Sequence, residues 1–218
     1  MRNWANRSSP PTRCRRSRWC CVSSRRISWT PKEDVSVTEL KPICALGGAE
    51  PASRRIGALS LREDAGLGLA SLALRAGAPA PALGLVLPGP GGWAEGAGLA
   101  AFWTGAGQWM LEFPGGAGRD LAAELAGPGL SVTEQTDGFT AFEIQGPAAE
   151  LVALLEKLVN VDARRFGPGS ATRTGFHHMS VFVIRRAPDR LAVLGMRSAA
   201  GTIWHALVEA AERQEVPA

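Results

Sequence analysis

Residues 133–158 read TEQTDGFTAFEIQGPAAELVALLEKL, and this stretch decides the fold. From Phe139 to Gln145 apolar and polar residues alternate, the period of a strand, with Phe142 and Ile144 on its core face. Gly146-Pro147 then makes a corner: glycine takes backbone conformations that bulkier residues resist, and proline suits the first helical position, where a missing N–H costs nothing. Leu151, Leu154, Leu155 and Leu158 follow at i, i+3, i+4 and i+7, one apolar stripe on an amphipathic helix. No side chain in this unit has the look of a catalytic group.

The residues on either side extend the pattern. Before it, Arg119–Ala126 predicts a short helix with Leu121 and Leu125 one turn apart, and Leu130–Glu134 a strand that turns at Gln135–Gly138. Leu99–Thr104 and Gln108–Phe113 are β-prone runs joined by Gly105-Ala106-Gly107, a hairpin signal, with Trp109, Leu111 and Phe113 on one face. Further back, Arg55–Arg62 alternates like a strand, and Leu83–Leu87 reads as a short buried strand ahead of the loop 88–92. Ala65–Arg75 is apolar but carries Gly66 and Gly68, which leaves helix and strand open.

After the unit, Asn160–Thr174 reads as irregular around Gly167-Pro168-Gly169. Ser180–Arg185 and Arg190–Met196 are strands about a turn at Ala187-Pro188-Asp189. A last helix, capped by Ser198 or Thr202, runs to about Arg213 with Ile203, Leu207 and Ala210 inward. Tight turns between so many strands favour α+β layering, helices packed on mostly antiparallel sheets, over a doubly wound parallel sheet.

The totals mislead until the chain is divided. Its 218 residues carry a net charge of +4, but residues 1–34 hold nine basic and two acidic residues, which leaves the remainder at −3. The body is therefore mildly acidic and shows no nucleic-acid footprint. Three of the four cysteines, Cys14, Cys20 and Cys21, also lie in the basic segment, leaving Cys44 alone outside it. One cysteine builds neither a disulfide framework nor a Cys-based zinc site, and it suits a reducing cytoplasm. The apolar runs are all too short to span a membrane as a helix.

Residues 1–44 read as a disordered or mistranslated basic extension, with the natural start at Val35 or Val37. A transit peptide and a basic arm for nucleic acid or phosphates are the competing readings. Residues 45–218 form the body, which could divide into α+β subdomains at 45–160 and 161–218.

Catalytic constellations are scarce in the body. His177 and His178 would point to opposite faces of an extended segment and would not easily share a metal, while His205 belongs on a surface. Gly105-Ala106-Gly107 opens like a dinucleotide fingerprint, but Met110 stands where the third glycine belongs. Arg173, between Thr172 and Thr174, has the chemistry to grip a carboxylate, such as a folate tail or a partner's acidic side chain. Trp93, Trp103, Trp109 and Trp204 are many for a body of this size, and exposed Trp and Arg mark interfaces.

Three stretches carry a resemblance. LGLVLPGPGGW (83–93) leading into AFWTGAGQWMLEFP (101–114), the unit 133–158, and FGPGSATRTGFHHMSVFVIRR (166–186) with LAVLGMRSAAGTIWHAL (191–207) resemble, in order and spacing, the gamma subunits of heterotetrameric sarcosine oxidase. That family is in turn related to the folate-binding domains of the glycine-cleavage aminomethyltransferase. The resemblance spans about residues 45–213. It implies a structural, non-catalytic subunit of a complex that oxidises sarcosine to glycine and hydrogen peroxide, releasing formaldehyde or, with tetrahydrofolate, methylenetetrahydrofolate. It implies alpha, beta and delta partners, with FAD, FMN and NAD on alpha and beta and zinc on delta.

An equivalent of the aminomethyltransferase's acidic catalytic residue is missing from the matching positions, so no catalytic residue is expected here. Candidate interface or ligand contacts are Trp93, Trp109, Arg173, Phe176, His177 and His178. A free-standing folate-binding protein is the alternative.

Overall fold

The computed structural model describes residues 42–215. Residues 1–41 of the expected extension, with the start expected at Val35 or Val37, lie outside them. In chain order come β1 (Ser53–Ile56), β2 (Leu59–Glu63), β3 (Gly68–Leu74), β4 (Trp93–Gly96), β5 (Leu99–Gly105), β6 (Gln108–Phe113), α1 (Leu121–Glu124), β7 (Leu130–Glu134), β8 (Phe139–Gln145) and α2 (Ala148–Leu158). β9 (Ser170–Phe176), β10 (Met179–Ala187), β11 (Arg190–Met196) and, after a 3-10 turn at Arg197–Ala199, α3 (Ala200–Glu215) complete the described residues.

The strands make two sheets, ordered β1-β2-β8-β11-β10-β9 and β4-β5-β6-β3-β7, and every strand pairing is antiparallel. The architecture is α+β, as the turn-rich sequence requires. The first sheet draws strands from both sides of residue 160, so a cut there would separate β8 from its neighbour β11.

Side-chain alternation assigns each layer. On β10 and β11, Val181, Val183, Leu191 and Val193 join Leu151, Leu154, Leu155, Ile203 and Leu207 of the helices in one core. Their neighbours Phe182, Ile184, Ala192 and Leu194 point the other way, into a second core with Leu69, Phe102 and Met110 of the opposing sheet. The far face of the second sheet buries Leu72, Leu111 and Leu121 under the loop residues Leu83, Leu85 and Leu87.

β8 lies between β2 and β11 at the middle of this stack. Phe142 and Ile144 are fully buried toward the helices, and Ala141 is buried toward the second sheet. The leucine stripe of α2 performs as read: Leu151, Leu154 and Leu155 are sealed in the first core, each a gain of roughly 1.5–3 kcal/mol over exposure. Leu158 packs at its edge.

The corner before α2 has a different cause from the one expected. Gly146 does not use a glycine-only backbone; a Cβ there would fall 2.6 Å from Leu59 Cδ2 and 3.0 Å from the Ala58 carbonyl oxygen. The β1–β2 hairpin tip presses on this residue and leaves no room for a side chain. Pro147 takes the N-cap, one place before the first helical residue.

Several expectations need correcting. Arg55–Arg62 is not one strand; it folds at Gly57, φ +52°, into the antiparallel hairpin β1–β2. Leu83–Leu87 pairs with nothing: its leucines cover the second sheet while Val86 is 87% exposed. Ala65–Arg75, open between helix and strand, contains β3. Residues 170–174, read as irregular, begin β9, and β4 went unread. Asp120, within the helix expected over Arg119–Ala126, instead caps α1 by accepting from the Ala123 N–H. Ser198 lies within the 3-10 turn and Thr202 inside α3, so neither caps that helix, although Ile203, Leu207 and Ala210 are buried as expected.

Candidate functional site

The two sheets meet around a cluster of charges. Glu112 of β6 is fully buried. Its Oε1 accepts from Arg186 Nη2 of β10 at 2.6 Å, and its Oε2 accepts from the Trp93 indole N–H of β4 at 2.8 Å. Arg186, 8% exposed, also faces Glu143 of β8, Nε to Oε1 at 3.0 Å, and its guanidinium carbon lies 5.6 Å from the centre of the Trp93 ring. One guanidinium thus hydrogen-bonds Glu112 of the opposite sheet, lies within ion-pair distance of Glu143 and over an indole, while its Nε is buried without a hydrogen-bond partner.

Burial pushes the Glu112 carboxyl above the usual carboxylate range, against the pull of the Arg186 charge and the Trp93 N–H. Burial also raises Glu143, opposed by Arg186 and Arg190 and reinforced by Glu112 and Asp64. Glu143 Oε2 is buried without a hydrogen-bond partner.

A cavity of about 260 Å³ opens beside this cluster, lined by Ser60, Arg62, Asp64, Glu143, Arg186 and Arg190 among others. A larger, mostly apolar cleft of about 420 Å³ lies elsewhere along the gap between the sheets. Met110, Phe139, Met179, Phe182 and Met196 line it, with Arg173 as its one charged residue. Arg173 is held in place there: its Nε donates to Ser180 Oγ at 2.8 Å, and its guanidinium lies 5.8 Å from the Phe182 ring centre.

The residues singled out from sequence are dispersed. Phe176 is fully buried in the helix-side core and Trp93 is buried between the sheets, so neither has surface to offer a partner. Trp109 is half-buried, and its indole N–H donates to the Pro88 carbonyl at 2.8 Å, tying the loop to the sheet. His177 and His178 form the exposed two-residue turn between β9 and β10, with His177 at φ +51°. They are therefore turn residues and not neighbours along a strand. Of the six, Arg173 lines the 420 Å³ cleft.

The cluster itself escaped the sequence reading. Its one signal was an acid, Glu112, inside the apolar run WMLEF. Among the described residues no group of three or more His, Cys, Asp and Glu could hold a metal ion, and no helix is long and apolar enough to cross a membrane. Cys44 is buried, and that burial raises its thiol above the usual range.

The architecture recurs in known structures. A chain of the heterotetrameric sarcosine oxidase from Corynebacterium sp. U-96, in complex with pyrrole 2-carboxylate, superposes with a TM-score of 0.63 at 23% identity. The match covers 73% of this chain and 87% of that one. The glycine cleavage system aminomethyltransferase T from Bartonella henselae superposes with a TM-score of 0.49 at 16% identity, over 67% of this chain and 44% of that one. No family model matches the sequence, and no curated protein matches it. The fold is accordingly that of a chain found in a heterotetrameric sarcosine oxidase.

Proposed function

We propose that this chain is the gamma-type subunit of a heterotetrameric sarcosine oxidase, a structural component that takes no direct part in the chemistry. In this reading the alpha and beta partners carry FAD, FMN and NAD, the delta partner carries zinc, and the assembly works in the cytoplasm. Sarcosine is oxidatively demethylated there to glycine and hydrogen peroxide, the carbon leaving as formaldehyde or methylenetetrahydrofolate.

The observation that carries the reading is the superposition over 87% of a chain from such an enzyme. Two features of the molecule support it. Glu112, its most buried charge, is engaged with Arg186 across the sheets, a structural use. The apolar cleft also ends at an exposed Met196, 55% accessible, which is surface suited to a partner. Co-expression of the tagged chain with the alpha, beta and delta subunits tests this. A yellow complex with a flavin spectrum is expected to copurify; a stable, colourless monomer that ignores those partners overturns the reading.

One observation favours a second reading, a folate-binding protein. Arg173 stands at an apolar cleft floored by Phe139 and Phe182, complementary to a flat ring system bearing a carboxylate. Tetrahydrofolate should then raise the melting temperature of the isolated chain.

A further inference from the structure

The structure assigns Met196 as a modification site: hydrogen peroxide oxidises its thioether to the sulfoxide, and that oxidation switches the 420 Å³ cleft from apolar to polar. This inference goes beyond the subunit reading and does not depend on it, although in that reading the assembly itself supplies the peroxide.

Three strands of the two sheets bring methionines to one place. Met110 lies in β6, Met179 opens β10 and Met196 closes β11, and these, the three methionines of the described residues, all line the cleft. Methionine is unbranched and polarisable, which lets such a lining adapt to apolar surfaces of different shape. It is also the apolar side chain that an oxidant makes polar.

Accessibility ranks the three. Met196 is 55% exposed, Met179 is half-buried and Met110 is 5% exposed. In the reaction a lone pair of the thioether sulfur attacks one peroxide oxygen. The O–O bond breaks as the S–O bond forms, and the second oxygen leaves, protonated, as water. Sulfur loses two electrons and the peroxide gains them. The peroxide must reach sulfur from solvent, so Met196 reacts first. Cys44 competes poorly, because it is buried and held as the thiol.

The consequence follows from where Met196 sits. It belongs to none of the buried cores, so oxidation leaves the fold intact. At the open rim the new sulfoxide oxygen accepts from water. An apolar occupant of the cleft strips that water away, and a polar group covered without a donor is costly. Oxidation therefore lowers the affinity of the cleft without blocking it, and a methionine sulfoxide reductase restores it.

Dilute hydrogen peroxide on the full chain, followed by peptide-mapping mass spectrometry, is expected to oxidise Met196 at least about tenfold faster than Met110, with Met179 between them. Binding is read with anilinonaphthalenesulfonate, whose flat rings and sulfonate match Phe139, Phe182 and Arg173. Its affinity should fall about tenfold once Met196 is oxidised. Met196→Gln, a polar stand-in for the sulfoxide, should lower it similarly without peroxide. Met196→Leu has no sulfur to oxidise and should keep the probe after the same treatment. Met110 or Met179 reacting as fast as Met196 overturns the proposal. So does a probe that fails to bind the untreated chain, that is unaffected by oxidation of Met196, or that Met196→Leu loses as readily as the wild type.

Discussion

Glu112 Oε1 and Arg186 Nη2 lie 2.6 Å apart across the gap between the two sheets, and each is withdrawn from water. Attraction between them offsets a desolvation cost of several kcal/mol per ion, so the pair adds little net stability while it is whole. Removing one partner is another matter. Arg186→Met leaves Glu112 and Glu143 without their shared cation and should cost about 3–5 kcal/mol at neutral pH. Adding Glu112→Gln, which still accepts from the Trp93 N–H, should recover part of that loss. Urea unfolding of the wild type, the two single variants and the double variant checks this: a double variant as unstable as the sum of its single changes would contradict it.

Glu143 gives stability an unusual pH slope. Burial raises its folded pKa above the unfolded value, so the native state holds the proton more tightly. The stability it contributes is complete below the unfolded glutamate pKa of about 4.3 and is lost as pH rises through the raised folded value. Glu143→Gln mimics the protonated form and removes this dependence. The melting temperature of the variant minus that of the wild type should therefore increase from about pH 4.5 to about pH 7. A difference that stays flat or falls would show that the carboxyl is not raised.

Gly146 makes a steric prediction. Gly146→Ala forces a methyl into Leu59 Cδ2 and the Ala58 carbonyl, and overpacking of this kind costs about 1–3 kcal/mol. Gly175→Ala, in strand β9 with open space around the added methyl, should stay within about 0.5 kcal/mol of the wild type. Paired denaturation curves separate the two.

The parts of this fold that were legible in sequence are those set by local period. Phe142 and Ile144 alternate, and the α2 leucines recur at helical spacing, because each set buries a single face. What sequence did not disclose is stacking. Leu111 and Phe113 mark one face of β6, but nothing in WMLEF says that a second sheet also covers the other face, where Glu112 meets Arg186 from 74 residues away. Trp93 is sequestered by that same stacking, so an interface reading based on residue type alone misplaced it. β4 and β9, rich in small and polar residues, are strands because β5 and β10 pair with them, a tertiary effect stronger than their own propensity. Leu83–Leu87 is the reverse case: an apolar run that reads as a buried strand, it pairs with no strand among the described residues.

Arg173 and Met196 separate the two functional readings. Both line the 420 Å³ cleft, and both are exposed, so changing either leaves the buried cores untouched. Met196→Asp puts a charge on the apolar rim. If the cleft seats another subunit, desolvating that carboxylate on assembly costs several kcal/mol, and recovery of the flavin-bearing complex should fall by tenfold or more. The isolated variant should melt within a few degrees of the wild type. Arg173→Ala removes the cleft's charged residue and with it the group that would grip a folate carboxylate. A tetrahydrofolate-induced rise in melting temperature, where the wild type shows one, should shrink by half or more in this variant. Subunit recovery reduced by Met196→Asp, with no folate response in the wild type, supports assembly. A folate response lost with Arg173→Ala, with partner recovery unaffected by Met196→Asp, supports the folate reading and counts against a docking role for this cleft.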